Sequence, residues 1–222
     1  MEIHPLQDKI MIKKEISIIP LFSMPVMSVM LDVDLEKLIE FVLQNKNEDS
    51  EGALFSNKGG WHSKGLGKKD HEEFIKLKEQ ITSQLHIYHS EVFAKMKFTG
   101  NMKAFLLDIW AGVNEKHHYN DWHVHPFSTL SGVFYIKHDG SPENGVISFK
   151  HPEQNIACPN VHWPLQLIEA NNEVSAGVID FLPKAGKLLI FPSWLQHRVE
   201  VNLKDNVRIS ISFNSYIEKY ND

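Results

Sequence analysis

The chain of 222 residues suits a single domain, 1–222, large enough to bury roughly 70–75% of its unfolded surface without a metal or disulfide staple. Its 42% hydrophobic and 23% charged content is ordinary for a soluble globular protein, and a net charge of −5 argues against nucleic acid, whose phosphates call for a basic surface. One cysteine, Cys158, excludes an internal disulfide framework or a multi-cysteine metal site and fits a reducing cytoplasm; no run approaches the length of a membrane span.

Residues 16–33 are apolar but broken by Pro20 and Pro25, which predicts short extended pieces at a sheet edge. Asp34 is a candidate N-cap for a helix on which Leu35, Leu38, Ile39, Val42 and Leu43 follow the helical period. Residues 46–70 are polar and glycine-rich and read as a long loop. A second helix is predicted from Asp70 to about residue 95, with Phe74, Leu77, Ile81, Leu85 and Tyr88 on one stripe. From residue 103 the texture changes to short strands: KAFLLDIWAG, SGVFYIK, GVISFK, GVIDF, KLLIFP and VRISISFN. Close spacing and glycine, proline and asparagine turns predict an antiparallel sandwich or open barrel, with the two helices backing one sheet.

The stretch NDWHVHPFSTLSGVFYI, residues 120–136, reads as extended chain and places His123 and His125 two residues apart. On a strand such residues point to one side. A third histidine, His197, follows the apolar KLLIFP segment and a turn at Pro192 and Ser193. Three imidazoles drawn from two strands make a facial donor set for iron(II), nickel, copper or zinc and leave coordination positions open. In VRISISFN, Val207, Ile209, Ile211 and Phe213 alternate with Arg208, Ser210, Ser212 and Asn214. The apolar face must pack, while Arg208 and Ser210 on the other face make a carboxylate clamp.

These elements resemble the iron(II)- and 2-oxoglutarate-dependent oxygenases, and more narrowly a bacterial and phage subgroup of that superfamily. The resemblance rests on SNKGGWHS (56–63), NDWHVHP (120–126), LSGVFYI (130–136), LIFPSWLQHRV (189–199) and RISISFN (208–214), which occur in order over most of the chain. It implies a mainly β fold with flanking helices: a double-stranded β-helix, or jelly roll, over 101–222, backed by an N-terminal strand and helix elaboration over 1–100. It also implies Fe(II) bound by His123 and His197, and 2-oxoglutarate anchored by Arg208 with Ser210, and with Tyr135 near the same carboxylate. Decarboxylation of 2-oxoglutarate to succinate would be coupled to hydroxylation of a small-molecule or peptide substrate.

The superfamily's usual H-x-(D/E) pair is here H-x-H, so His125 stands at the carboxylate position; Asp121 is a second candidate for the third ligand. Trp61 and His62 are candidates for a substrate wall, or for an anchor that ties their loop to the core. Two other readings remain open from the sequence. A cupin would use the same histidines but usually adds a glutamate after the H-x-H, where this chain has PFSTLSG. A non-catalytic binding module on the same fold would explain the missing carboxylate.

Overall fold

The computed structural model describes residues 24–92, 101–152 and 177–220. Cys158, Trp163, residues 16–23 and most of 150–177 lie outside them. The chain begins with β1 (Met27–Met30), α1 (Leu35–Glu48), β2 (Asn57–Lys58), β3 (Trp61–His62) and α2 (Glu72–Val92). The strands β4 (Asn101–Asn114), β5 (Tyr119–His123), β6 (Leu130–Lys137), β7 (Ile147–Lys150), β8 (Val178–Phe181), β9 (Lys187–Pro192), β10 (His197–Val199) and β11 (Arg208–Tyr220) follow. They form a six-stranded sheet, β1-β9-β6-β11-β4-β3, and a five-stranded sheet, β2-β5-β10-β7-β8. Every ladder is antiparallel. This is the mainly β, jelly-roll architecture with two helices that the sequence implied.

Period-two alternation explains how the larger sheet is buried on both faces. Phe134 and Ile136 of β6, Leu188 and Ile190 of β9, and Ile209, Ile211 and Phe213 of β11 join the helix stripe in one core. Their neighbours Val133 and Tyr135, and Leu189 and Phe191, face the other sheet and pack with Ile147 and Phe149 in a second core. Strands β6 and β9 therefore read as continuous apolar runs, whereas β11 alternates because its inner face is polar. On α2, Phe74, Leu77, Ile81, Leu85 and Tyr88 are all within 1% of complete burial, as the stripe predicts. Asp34 caps α1 by accepting from the Lys37 N–H at 3.2 Å, and its own N–H donates to Glu73 of α2 at 2.7 Å.

Two boundaries differ from expectation. Helix α1 continues to Glu48, and the supposed loop contains β2 and β3, which join opposite sheets. Side-chain bonds to the backbone hold this segment: Asn57 Nδ2 donates to the Gly60 carbonyl (2.7 Å), and the Ala111 N–H donates to Ser63 Oγ (2.9 Å). Such bonds, one within the turn and one across 48 residues, leave no periodicity to read. No helix among the described residues is long and apolar enough to cross a membrane.

Candidate metal centre

The centre is assembled where β5 and β10 pair. In that ladder His197 stands opposite His123, and their ring centroids are 4.3 Å apart. His125 does not continue the strand as the sequence suggested, because β5 ends at His123. Pro126, which has no N–H and restricts the residue before it, disfavours continuation of the ladder. The His125 N–H donates instead to the Ser193 carbonyl at 2.9 Å, in the turn before His197. One candidate ligand atom from each histidine lies within 4.8 Å of the other two, and Nε2 of His125 and Nε2 of His197 are 3.3 Å apart.

Hydrogen bonds fix two of the tautomers. His123 Nδ1 donates to the Asp121 carbonyl at 2.6 Å, and His197 Nδ1 donates to the Leu195 carbonyl at 2.8 Å. Carbonyls only accept, so both Nδ1 atoms carry protons and both Nε2 atoms offer lone pairs. Burial lowers the pKa of all three imidazoles, with His123 adding to the effect on the other two; His125 falls to about 4. At neutral pH the three are uncharged donors converging on one point, positioned to hold a transition metal. Asp121 is not among them: it is exposed, and its carboxylate accepts from the Trp122 N–H at 2.8 Å.

Beside the histidines lies a cavity of about 390 Å³ whose wall includes Arg208, Ser210, Ser212 and Asn214, the polar face of β11. Arg208 is only 3% exposed, and its guanidinium carbon lies 5.3 Å from the centroid of the fully buried Tyr135 ring. Tyr135 attracts the guanidinium, although Arg208 Nε and Tyr135 Oη do not meet in ordinary hydrogen-bond geometry, and no carboxylate among the described residues pairs with Arg208. Burial pulls the arginine down from its ordinary pKa and pushes the phenol up. A buried cation with no carboxylate partner is costly and creates a demand for an anion at that end of the cavity.

The other candidates separate. Trp61 lines the cavity and also anchors its segment, 7% exposed, with Nε1 donating to the Asp49 carbonyl at 2.8 Å. His62 lines the cavity, stacked on Trp110 with centroids 5.4 Å apart. Trp122 lies beneath Arg198, 4.7 Å from the guanidinium carbon. Trp194 is 56% exposed because it sits in the turn after Ser193. His117 is exposed and His118 accepts from the Glu115 N–H at 3.0 Å, so both belong to a turn. Asp108, Asn114 and Asn120 also line the cavity and were missed. The alternation of Asp108, Trp110, Gly112 and Asn114 with apolar residues in DIWAGVN was the signal for the β4 face.

Residues 108–214, slightly under half of the chain, match a family model described as "Putative 2OG-Fe(II) oxygenase". No curated protein matches the chain in sequence. Among solved structures, a Pseudomonas putida prolyl-4-hydroxylase is similar at TM-score 0.58 and 13% identity, over 88% of this chain and 93% of that one. The viral collagen prolyl hydroxylase of Paramecium Bursaria Chlorella virus-1, solved as a 2-oxoglutarate complex, is similar at 0.54 and 10%, over 88% and 96%. HygX from Streptomyces hygroscopicus, solved with nickel and 2-oxoglutarate, is similar at 0.54 and 11%, over 87% and 83%. At such identities the likeness shows the fold; with the family match, it supports the 2-oxoglutarate/Fe(II) oxygenase superfamily.

Proposed function

We propose that the chain is a non-haem Fe(II)- and 2-oxoglutarate-dependent dioxygenase, a hydroxylase acting on a small molecule or peptide. One observation carries the reading: a three-imidazole donor set and a buried guanidinium with no carboxylate partner meet at one cavity. The donors fit a divalent transition metal, and the guanidinium fits the carboxylate of a dianionic cosubstrate. The metal-bound and 2-oxoglutarate-bound structures of similar fold add support.

In this reading His123, His125 and His197 hold iron, while Arg208 binds the distal carboxylate of 2-oxoglutarate, assisted by Ser210 and Tyr135. With both groups bound, iron and 2-oxoglutarate supply dioxygen-dependent decarboxylation to succinate and CO2 coupled to oxidation of a substrate C–H bond. The residues of the chain do positional work. The Asp121 and Leu195 carbonyls aim two imidazoles, and the inter-sheet core behind Tyr135 keeps water from the guanidinium. The chain acts as one catalytic unit, because β1, β2 and β3 from its N-terminal hundred residues complete both sheets. We place it in the H-x-H-P subgroup, as a cytoplasmic enzyme. Incubation with Fe(II), 2-oxoglutarate and oxygen should release succinate even without a second substrate, slowly, and Arg208→Ala should abolish that release at low cosubstrate concentration. Succinate at equal rates in both proteins would sink the assignment of Arg208.

A further inference from the structure

The cavity extends beyond the metal centre to a lobe of different chemistry. Along β4, the cavity-facing residues Asn114, Gly112, Trp110 and Asp108 pair with Arg208, Ser210, Ser212 and Asn214 of β11. The six-residue step from Asn114 to Asp108 spans roughly 20 Å of strand. Arg208 and Asp108 therefore stand at opposite ends of one cavity wall. Among the described residues, Asp108 is the only carboxylate in the lining and Arg208 the only fixed cation. Asp108 Oδ1 accepts from the Ile109 N–H at 2.9 Å, and no lysine or arginine among the described residues pairs with its charge.

The neighbouring groups have the same preference. His62 Nδ1 donates to the Ser63 carbonyl at 2.7 Å, so in the neutral ring Nε2 is an acceptor, and it makes no hydrogen bond among the described residues. Two aromatic rings flank it, Trp110 stacked at 5.4 Å and Phe55 tilted at 5.0 Å. Trp110 in turn lies 5.7 Å from the ring of His125, which connects the lobe to the metal centre. An exposed carboxylate with no basic partner, an imidazole acceptor and the Trp110 and Phe55 rings beside it suit a donor-rich cation.

We infer that this lobe binds an ammonium or guanidinium group of the substrate to be oxidised, with Asp108 as its charge partner and Trp110 and Phe55 as flanking faces. The inference rests on the oxygenase reading only in naming the ligand as that enzyme's substrate. Arg208 then takes the anionic cosubstrate and Asp108 the cationic substrate, and the carbon to be oxidised lies between them near the histidines.

The test titrates the protein loaded with Ni(II) and 2-oxoglutarate with n-butylguanidinium and with n-butylurea, its uncharged isostere, by calorimetry. The wild type should bind the cation about tenfold more tightly. In Asp108→Asn, which keeps the Oδ1 acceptor for Ile109, the two ligands should bind within about twofold of each other, with 2-oxoglutarate affinity unchanged. Equal behaviour of the two ligands in the wild type, including no binding of either, overturns the inference, as does a preference that survives in Asp108→Asn. Failure to bind 2-oxoglutarate would instead sink the oxygenase reading, and the same titration of the metal-free protein would still decide the cation site.

Discussion

His125 is the residue at which the proposed centre departs from two imidazoles and a carboxylate. Three neutral ligands leave a bound Fe(II) with one more positive charge, which strengthens its hold on anionic co-ligands and alters its potential. His125→Ala should lower Ni(II) affinity by more than about 100-fold, while Asp121→Ala should change it by only a few-fold. Calorimetric titration of both variants checks this, and the reverse order would move the third ligand to Asp121. The histidine types and the H-x-H spacing were legible in the sequence, and so was the polar face carrying Arg208 and Ser210. What could not be read was that His197 faces His123 across a ladder, because register between strands distant in sequence is a tertiary property. The proline-induced exit from β5 also changed how His125 arrives, through Ser193 rather than through strand alternation.

At the scale of elements, β11 does two jobs: one face closes the helix core, and the other lines the cavity. Its fit against β6 depends on Gly132, where an added Cβ would collide with the Phe213 ring and come within 2.6 Å of the Leu189 carbonyl. Gly132→Ala should therefore cost roughly 1–3 kcal/mol in urea unfolding; an unchanged midpoint would contradict that packing. The turn leading into Arg208 is held from the other side. Asn202 Nδ2 donates to the Asn206 carbonyl (2.8 Å), while Asp139 accepts from Lys204 Nζ (2.8 Å) and Asn206 Nδ2 (3.1 Å). Burial alone would raise the Asp139 carboxyl, but Lys204, the Ser141 N–H and Asn206 outweigh it and hold it at about 2. A depressed carboxyl stabilises the fold above its ordinary value of 3.8 and loses that contribution as pH falls toward 2. Asp139→Asn should cost about 1 kcal/mol at pH 7, after discounting for solvent screening, and flatten the loss of stability between about pH 4 and pH 2. An acid profile identical to the wild type would remove the turn from the account. Helices and strands were legible from period and capping; β2 and β3 were not, since individual bonds between side chains and backbone, rather than a repeating pattern, define them.

Across the whole molecule, the two sheets meet over an apolar core at one end and a polar cavity at the other, and the metal centre sits on the smaller sheet. A ligand that joins β5, the turn after it and β10 must stabilise the folded chain by mass action, by about 2.7 kcal/mol at a hundredfold excess over its dissociation constant. Ni(II) should accordingly raise the thermal midpoint of the wild type and leave that of His197→Ala unmoved; equal shifts would place the metal elsewhere. Strand spacing pointed only to an antiparallel sandwich or open barrel and the jelly roll was implied by the family resemblance of the ordered motifs, whereas the cavity's charge polarity, Arg208 against Asp108, emerged only once β4 and β11 were paired. The most direct test of the central claim is an anaerobic titration of the Fe(II)-loaded protein with 2-oxoglutarate, followed by its visible charge-transfer band. The wild type should give a saturable band and Arg208→Ala roughly 100-fold weaker 2-oxoglutarate binding with Fe(II) affinity retained, as expected for loss of about 3 kcal/mol of charge-assisted hydrogen bonding. No band in the wild type, or equal loss of metal and cosubstrate in the variant, would contradict it.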